Sequence, residues 1–217
     1  ISHYDPNITQ LENGSIVVAW HNSQNFNDVI ASIVSSSGDI QVAAKRINTT
    51  TYHYQRYVYL IPLENNQCLV VWNTYNQFGG SNYDDIVGQI INENGELIGS
   101  EIPLLNQSGH QYITDALLLP DNTILITYYD NDNNNYGVYY QMIGLDGTVI
   151  KSSELINTNE QYGTQYLGKA KLLKDSKVMF VWASQTVDSN GYAVMGRIID
   201  FQKDIKSDFF QINSTTQ

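Results

Sequence analysis

The amino-acid sequence predicts an all-β protein, a β-propeller built from four four-stranded blades. Three observations carry that prediction. An apolar phrase ending in an aromatic occurs four times, as IVVAW, CLVVW, ILITY and VMFVW, which puts Trp20, Trp72, Tyr128 and Trp182 at one repeat position. Their spacings of 52, 56 and 54 residues match the roughly fifty-residue repeat of a four-stranded blade. A leucine stands nine residues before each aromatic, at Leu11, Leu63, Leu119 and Leu173. The turns in between, ENGS, ENNQ, PDNT and KDSK, are rich in residues that tolerate positive φ.

Each blade then reads in order. The first strand runs up to the leucine. The phrase is the second strand, and its continuous apolarity is that of a strand covered on both faces, with the aromatic filling the wedge between neighbouring blades. A variable polar loop leads to the third strand, DVIASIV, DIVGQII, GVYYQMI or AVMGRII. Gly38, Gly95, Gly147 and Lys203 mark a second turn that glycine fits in three copies. The fourth strand closes on RIN, LLN, LIN or QIN, at Asn48, Asn106, Asn157 and Asn213. All these segments are short, β-branched and fenced by turn residues, so no helix is expected.

The organisation expected is a single domain over residues 1–217, with blades at about 1–48, 49–106, 107–157 and 158–217. If the termini are joined, the path from Asn213 to Leu11 has the same 15-residue length as that from Asn48 to Leu63. Both a closed ring and a section of a longer array in register fit that count.

INTTTYHYQ (47–55), LENGSIVVAW (11–20) and GVYYQMIGLDG (137–147) resemble the tandem repeats of large secreted and surface proteins of bacteria and ciliates, with their VNT…Q…L-NG-VVVW…G-Y-Q pattern. The glutamine eight residues before each leucine also matches, at Gln55, Gln111 and Gln165, whereas the first repeat has His3 there. The resemblance implies an extracellular or cell-surface location. It also implies a non-catalytic structural or adhesive module, a subunit or repeat unit of a surface or filamentous assembly. The partners expected are like units, through self-association or tandem continuation, and glycans. A lectin-like glycan binder is the alternative, and a glycoside hydrolase comes after it.

Composition narrows the classes. Apolar residues make up 42% and charged residues 15%, which is globular and not disordered. A net charge of −11 with scattered Lys and Arg argues against nucleic acid, and no apolar run reaches the ~18 residues of a membrane span. The single cysteine, Cys68, lies in an apolar phrase and reads as a small buried hydrophobe.

The chemistry is sought along the first strands, which line a propeller's axis. Counting four and two residues back from each leucine gives Asn7, Tyr59, Asp115 and Lys169, then Thr9, Ile61, Leu117 and Lys171. One carboxylate makes no acid/base pair, so no enzyme is expected; a hydrolase would depend on Asp115. His3, His53 and His110 occupy equivalent connectors beside Tyr4, Tyr54 and Tyr112, and are candidate ligand-binding residues. No cofactor is certain. Calcium is the candidate, at Asp130, Asp132 and Asn134, whose oxygens alternate as in a calcium loop but lack a closing glutamate. Tyr52, Tyr54, Tyr57, Tyr59, Tyr75 and Phe78 supply a sugar platform in the second repeat. Sequons at Asn7, Asn13, Asn48, Asn106 and Asn213 permit N-glycosylation without arguing for it.

Overall fold

A computed structural model describes residues 2–23, 27–78, 83–130, 137–157, 165–185 and 191–213. Among them there are strands and turns and no helix, hence none long and apolar enough to cross a membrane. The described residues form four antiparallel sheets, in which consecutive strands pair in order save that the last short strand of the fourth sheet also pairs with its third. The first contains β1 (His3–Gln10), β2 (Ile16–Asn22), β3 (Val29–Val34) and β4 (Ile40–Arg46). The second contains β5 (Gln55–Leu63), β6 (Gln67–Tyr75), β7 (Asp84–Ile91) and β8 (Leu97–Leu105). In the third are β9 (Gln111–Leu118), β10 (Ile124–Asp130), β11 (Gly137–Ile143) and β12 (Val149–Leu155). The fourth has β13 (Gln165–Leu172), β14 (Val178–Ser184), β15 (Ala193–Asp200), β16 (Ile205–Lys206) and β17 (Phe210–Gln211).

These sheets group into two compact units, Ile1–Ser108 and Gly109–Gln217, each with two sheets and its own core. In unit 1, Leu11, Val17 and Ala19 pack with Leu60, Val70 and Trp72. In unit 2, Leu119, Leu125 and Tyr140 pack with Val178, Phe180 and Trp182. Cys68 is fully buried, and burial pushes its thiol up to about 12, so it behaves as the small hydrophobe its neighbours suggest.

Turn chemistry explains the register. Gly14, the Asn65–Asn66 pair, Asn122 and Ser176 take positive φ between the first two strands of each sheet. At the second turn Gly38, Gly95 and Gly147 do so, and in the fourth copy the left-handed residue is Asp204, one beyond Lys203. The closing asparagines act through their side chains. Asn48, Asn157 and Asn213 accept from the backbone N–H groups of Val29, Val138 and Val194, at 2.8, 3.0 and 2.8 Å, and so fix the fourth strand to the start of the third.

Two expectations change. The second strands are not all covered on both faces: β6 and β10 are buried almost throughout, whereas β2 and β14 alternate between buried and half-buried residues. Trp72, Tyr128 and Trp182 are accordingly buried, while Trp20 is only half-buried. The fourth sheet also departs from four strands. Its outer strand is split into β16 and β17, because the Ser207 hydroxyl accepts from Ile198 N–H and donates to Asp208 C=O, local bonds that compete with ladder pairing.

Candidate functional site

The site is shaped by a feature that strict alternation does not reveal. In β5, Tyr59 pairs with Val71 of β6 but Arg56 pairs with Asn73, so three residues of β5 span two of β6. That is a β-bulge, and Tyr57 within it has φ of 57°. Cross-strand partners share a face, so the bulge carries Arg56 onto the face of Tyr59. β1 has the same irregularity between Tyr4 and Asn7, with Asp5 at φ 49°, and β13 shifts between Tyr166 and Lys169.

Asp84 is paired with Tyr75, two residues beyond Asn73, and therefore stands on the Arg56 face. The guanidinium Nη2 of Arg56 donates to Asp84 Oδ1 at 2.9 Å, and the Asp84 side chain is only 2% exposed. Arg56 also lies over the Tyr57 ring, 5.2 Å from its centroid. Asp85 leaves the strand on the opposite face, beside Thr74, and is also buried. Burial and the adjacent Asp84 charge push its carboxyl up to about 6, against a hydrogen bond from the Phe78 N–H.

The segments that carry this ion pair are rich in aromatic rings. Tyr54 is 50% exposed, and Tyr57 and Phe78 are each 37% exposed. His53 bridges Tyr52 and Tyr75, with ring centroids 5.0 and 5.8 Å away. His53, Tyr57 and Asn76 all have positive φ, and such strained non-glycine residues gather at functional sites. From the first sheet, Tyr4 stacks on His21 at 5.4 Å and Asp5 lies 3.7 Å from His21. Burial holds His21 below its ordinary pKa.

The histidines divide their work. His3 Nδ1 accepts from Trp20 Nε1 at 3.0 Å, and Gln55 Oε1 accepts from Trp72 Nε1 at 2.7 Å. His3 thus does the repeat glutamine's job, with a ring nitrogen in place of an amide oxygen. His53 belongs to the aromatic rim of unit 1, and in unit 2 His110 stacks on Tyr112, which stacks on Tyr129. No group of three metal-ligating side chains occurs among the described residues. Asp130 ends β10, and Asp132 and Asn134 lie outside the described residues.

Asn48 is buried and its Nδ2, the atom a glycan would modify, donates to Asp28 and to Thr50 C=O. The Nδ2 atoms of Asn7 and Asn13 donate to Val58 C=O and Glu93, while Asn106 is exposed and Asn213 is half-buried.

Asp115 is a staple. Its two oxygens accept from the N–H groups of Ala116 and Ala170, at 3.0 and 3.1 Å, tying β9 to β13, and burial raises its pKa. Asp115→Ala leaves both donors short of an acceptor. It should lower the stability of unit 2 by about 2 kcal/mol, seen as a lower urea midpoint at unchanged slope.

Comparison with known proteins finds a likeness of fold. No protein-family model and no curated protein matches the chain. Solved structures do match it, propeller glycosidases among them. The NanB sialidase of Streptococcus pneumoniae superposes with a TM-score of 0.70 at 9% identity, over 100% of this chain and 52% of that one. An α-L-arabinanase of Penicillium chrysogenum gives 0.66 at 14% identity, over 99% and 68%. The endo-arabinase of Bacteroides thetaiotaomicron gives 0.59 at 10% identity, over 89% and 74%. The chain spans about half the length of the sialidase.

At these identities the likeness shows a β-propeller type of fold. It also corrects the functional expectation: the solved structures this chain resembles include arabinanases, family-43 glycoside hydrolases and a sialidase, so a non-catalytic structural or adhesive module is not what the comparison supports. The expectation of a chain without enzymatic activity has no support from them either.

Sequence reasoning named the tyrosines and His53 but missed Arg56, Asp84 and Asp85. The first-strand count stopped short of the bulge, and the carboxylates come from the start of the third strand, in YDD.

Proposed function

We propose that this chain is a carbohydrate-recognising propeller of four blades, and that unit 1 holds its glycan site at the Arg56–Asp84 pair. One observation carries the reading: the segments that hold the Arg56–Asp84 ion pair also carry exposed aromatic rings, Tyr54 and Tyr57 on either side of Arg56 in sequence and Phe78 in the turn before Asp84, on backbone with positive φ at His53, Tyr57 and Asn76. Sugar rings present C–H faces that pack on aromatic planes, and their hydroxyls need fixed polar partners. The ligand is a neutral glycan. Residues 1–108 hold ten carboxylates against three bases, and the Arg56 charge is matched by Asp84, so the field repels anionic sugars.

Asp85 supports a second reading, cleavage of the glycosidic bond, because a carboxyl still protonated near pH 6 suits a proton donor. Recognition comes first, since Asp84 leaves the strand on the other face and does not oppose Asp85 across one bond. The test is titration of neutral arabino-, xylo- and gluco-oligosaccharides and their uronate or sialylated counterparts, by calorimetry, with reducing ends assayed in parallel. Binding of a neutral oligosaccharide is expected, weakened about tenfold by Tyr54→Ala or Phe78→Ala. Failure of the whole panel to bind would sink the reading.

A further inference from the structure

The outermost strand of the second sheet carries a carboxylate with an unusual set of donors. Glu101, half-buried in β8, receives four hydrogen bonds from two segments far apart in sequence. Its Oε1 accepts from the N–H groups of Thr49 and Thr50, at 2.5 and 3.3 Å. Its Oε2 accepts from Thr50 Oγ1 at 3.3 Å and from Gln77 Nε2 at 2.5 Å. One segment is the connector that goes on to Tyr52, His53 and Tyr54; the other is the turn that carries Phe78.

Each segment has a second anchor on a different side. Asn48 Nδ2 donates to Thr50 C=O at 2.7 Å, and the Phe78 N–H donates to the Asp85 carboxyl. Glu101 is where the two sets of constraints meet. Bonds to an ionised acceptor are the stronger kind, and a single carboxylate holding both segments makes the ordering of one favour the ordering of the other. Loops that bind ligands otherwise belong to the least stable parts of a fold, so a rigid rim needs such a device.

We propose that Glu101 is a positioning residue, a latch that joins the connector at Thr49–Thr50 to the turn at Gln77–Phe78 and holds the two halves of the aromatic rim at one spacing. The latch rests on the glycan reading for its purpose but not for its existence. Its substitution weakens binding without touching the ligand.

The experiment measures amide hydrogen exchange and oligosaccharide affinity on the same variants. The Phe78 amide is the informative probe, because it bonds to Asp85 and not to Glu101. Glu101→Ala should speed exchange at both Thr50 and Phe78 and lower affinity about tenfold, while Glu101→Gln, which keeps an acceptor for the threonines, recovers much of both. Gln77→Leu cuts one arm only, so it should free Phe78, leave Thr50 protected, and serve as the readout where Glu101→Ala does not fold. Unchanged Phe78 exchange in Glu101→Ala, or in Gln77→Leu, overturns the latch; so does unchanged affinity in variants of a chain that binds. A wild-type chain that binds no glycan would overturn the recognition reading alone, since the exchange data decide the latch separately.

Discussion

Arg56→Ala should be the most damaging single change in unit 1, lowering its stability by about 3–5 kcal/mol and abolishing glycan binding. The reason is Asp84, whose side chain is 2% exposed and whose Oδ1 lies 2.9 Å from the Arg56 guanidinium. Removing the cation takes a charge-assisted hydrogen bond from that buried carboxylate, and the part of its desolvation penalty that Arg56 offsets is lost. A surface pair would lose only about 0–1 kcal/mol, so the size of the effect distinguishes the two situations. Since a domain's net stability is about 5–15 kcal/mol, the variant should be visibly unfolded at moderate urea. Arg56→Lys should not rescue it fully, because a lysine cannot reproduce the planar fork or the stacking over Tyr57. The double variant Arg56→Met with Asp84→Asn should recover much of the stability and none of the binding. A double-mutant cycle then reads the coupling directly. A coupling below about 1 kcal/mol would show that the pair is peripheral and would remove it from the site.

The parts of this protein that repeat were legible in the sequence, and the residues of the proposed site interrupt the repeat. Counting from Trp20, Trp72, Tyr128 and Trp182 located four sheets, the turns between their strands and the asparagines that close them. That worked because each position has one physical job in every copy: positive φ at a turn, an acceptor for the Val29, Val138 or Val194 N–H, an aromatic in the core. Alternation failed at the bulges, since one inserted residue reverses which face every residue upstream of it meets. A signal was present. Seven residues before the four leucines stand Tyr4, Arg56, Tyr112 and Tyr166, all large planar side chains, beyond the point where the count stopped. Asp115, the carboxylate on which a hydrolase would depend, shows the complementary limit: it falls on an in-phase position, but the sequence does not tell that its oxygens accept from two backbone amides. Burial, too, was overestimated for the first and fourth phrases. Sequence reports the apolarity of IVVAW and VMFVW, while the alternating exposure of β2 and β14 depends on what each sheet packs against.

The second large effect is one of pH, and it isolates Asp85. Its carboxyl is raised from 3.8 to about 6 in the folded chain, by burial and by the adjacent Asp84 charge. Between those values the folded state binds more protons than the unfolded one, so stability falls as pH rises through the window from about 4 to 6. Above the window the folded chain carries a buried charge at a cost of about 2–3 kcal/mol relative to the protonated form. His21 works in the opposite sense. Burial lowers its pKa, so the folded state resists protonation and stability is lost as pH falls below the ordinary histidine value. The two trends overlap, and the total stability curve is therefore flatter than either. The difference between wild type and Asp85→Asn separates them, because His21 is common to both. Asparagine keeps an oxygen to accept from the Phe78 N–H and never ionises. Asp85→Asn should match the wild type near pH 4 and exceed it by about 2 kcal/mol near pH 7, measured as urea midpoints across that range. Parallel curves would mean that Asp85 ionises freely, and would remove the protonated carboxyl on which the cleavage reading depends. Divergent curves with glycan affinity unchanged at pH 7 would place Asp85 beneath the recognition surface, as support for the Phe78 turn.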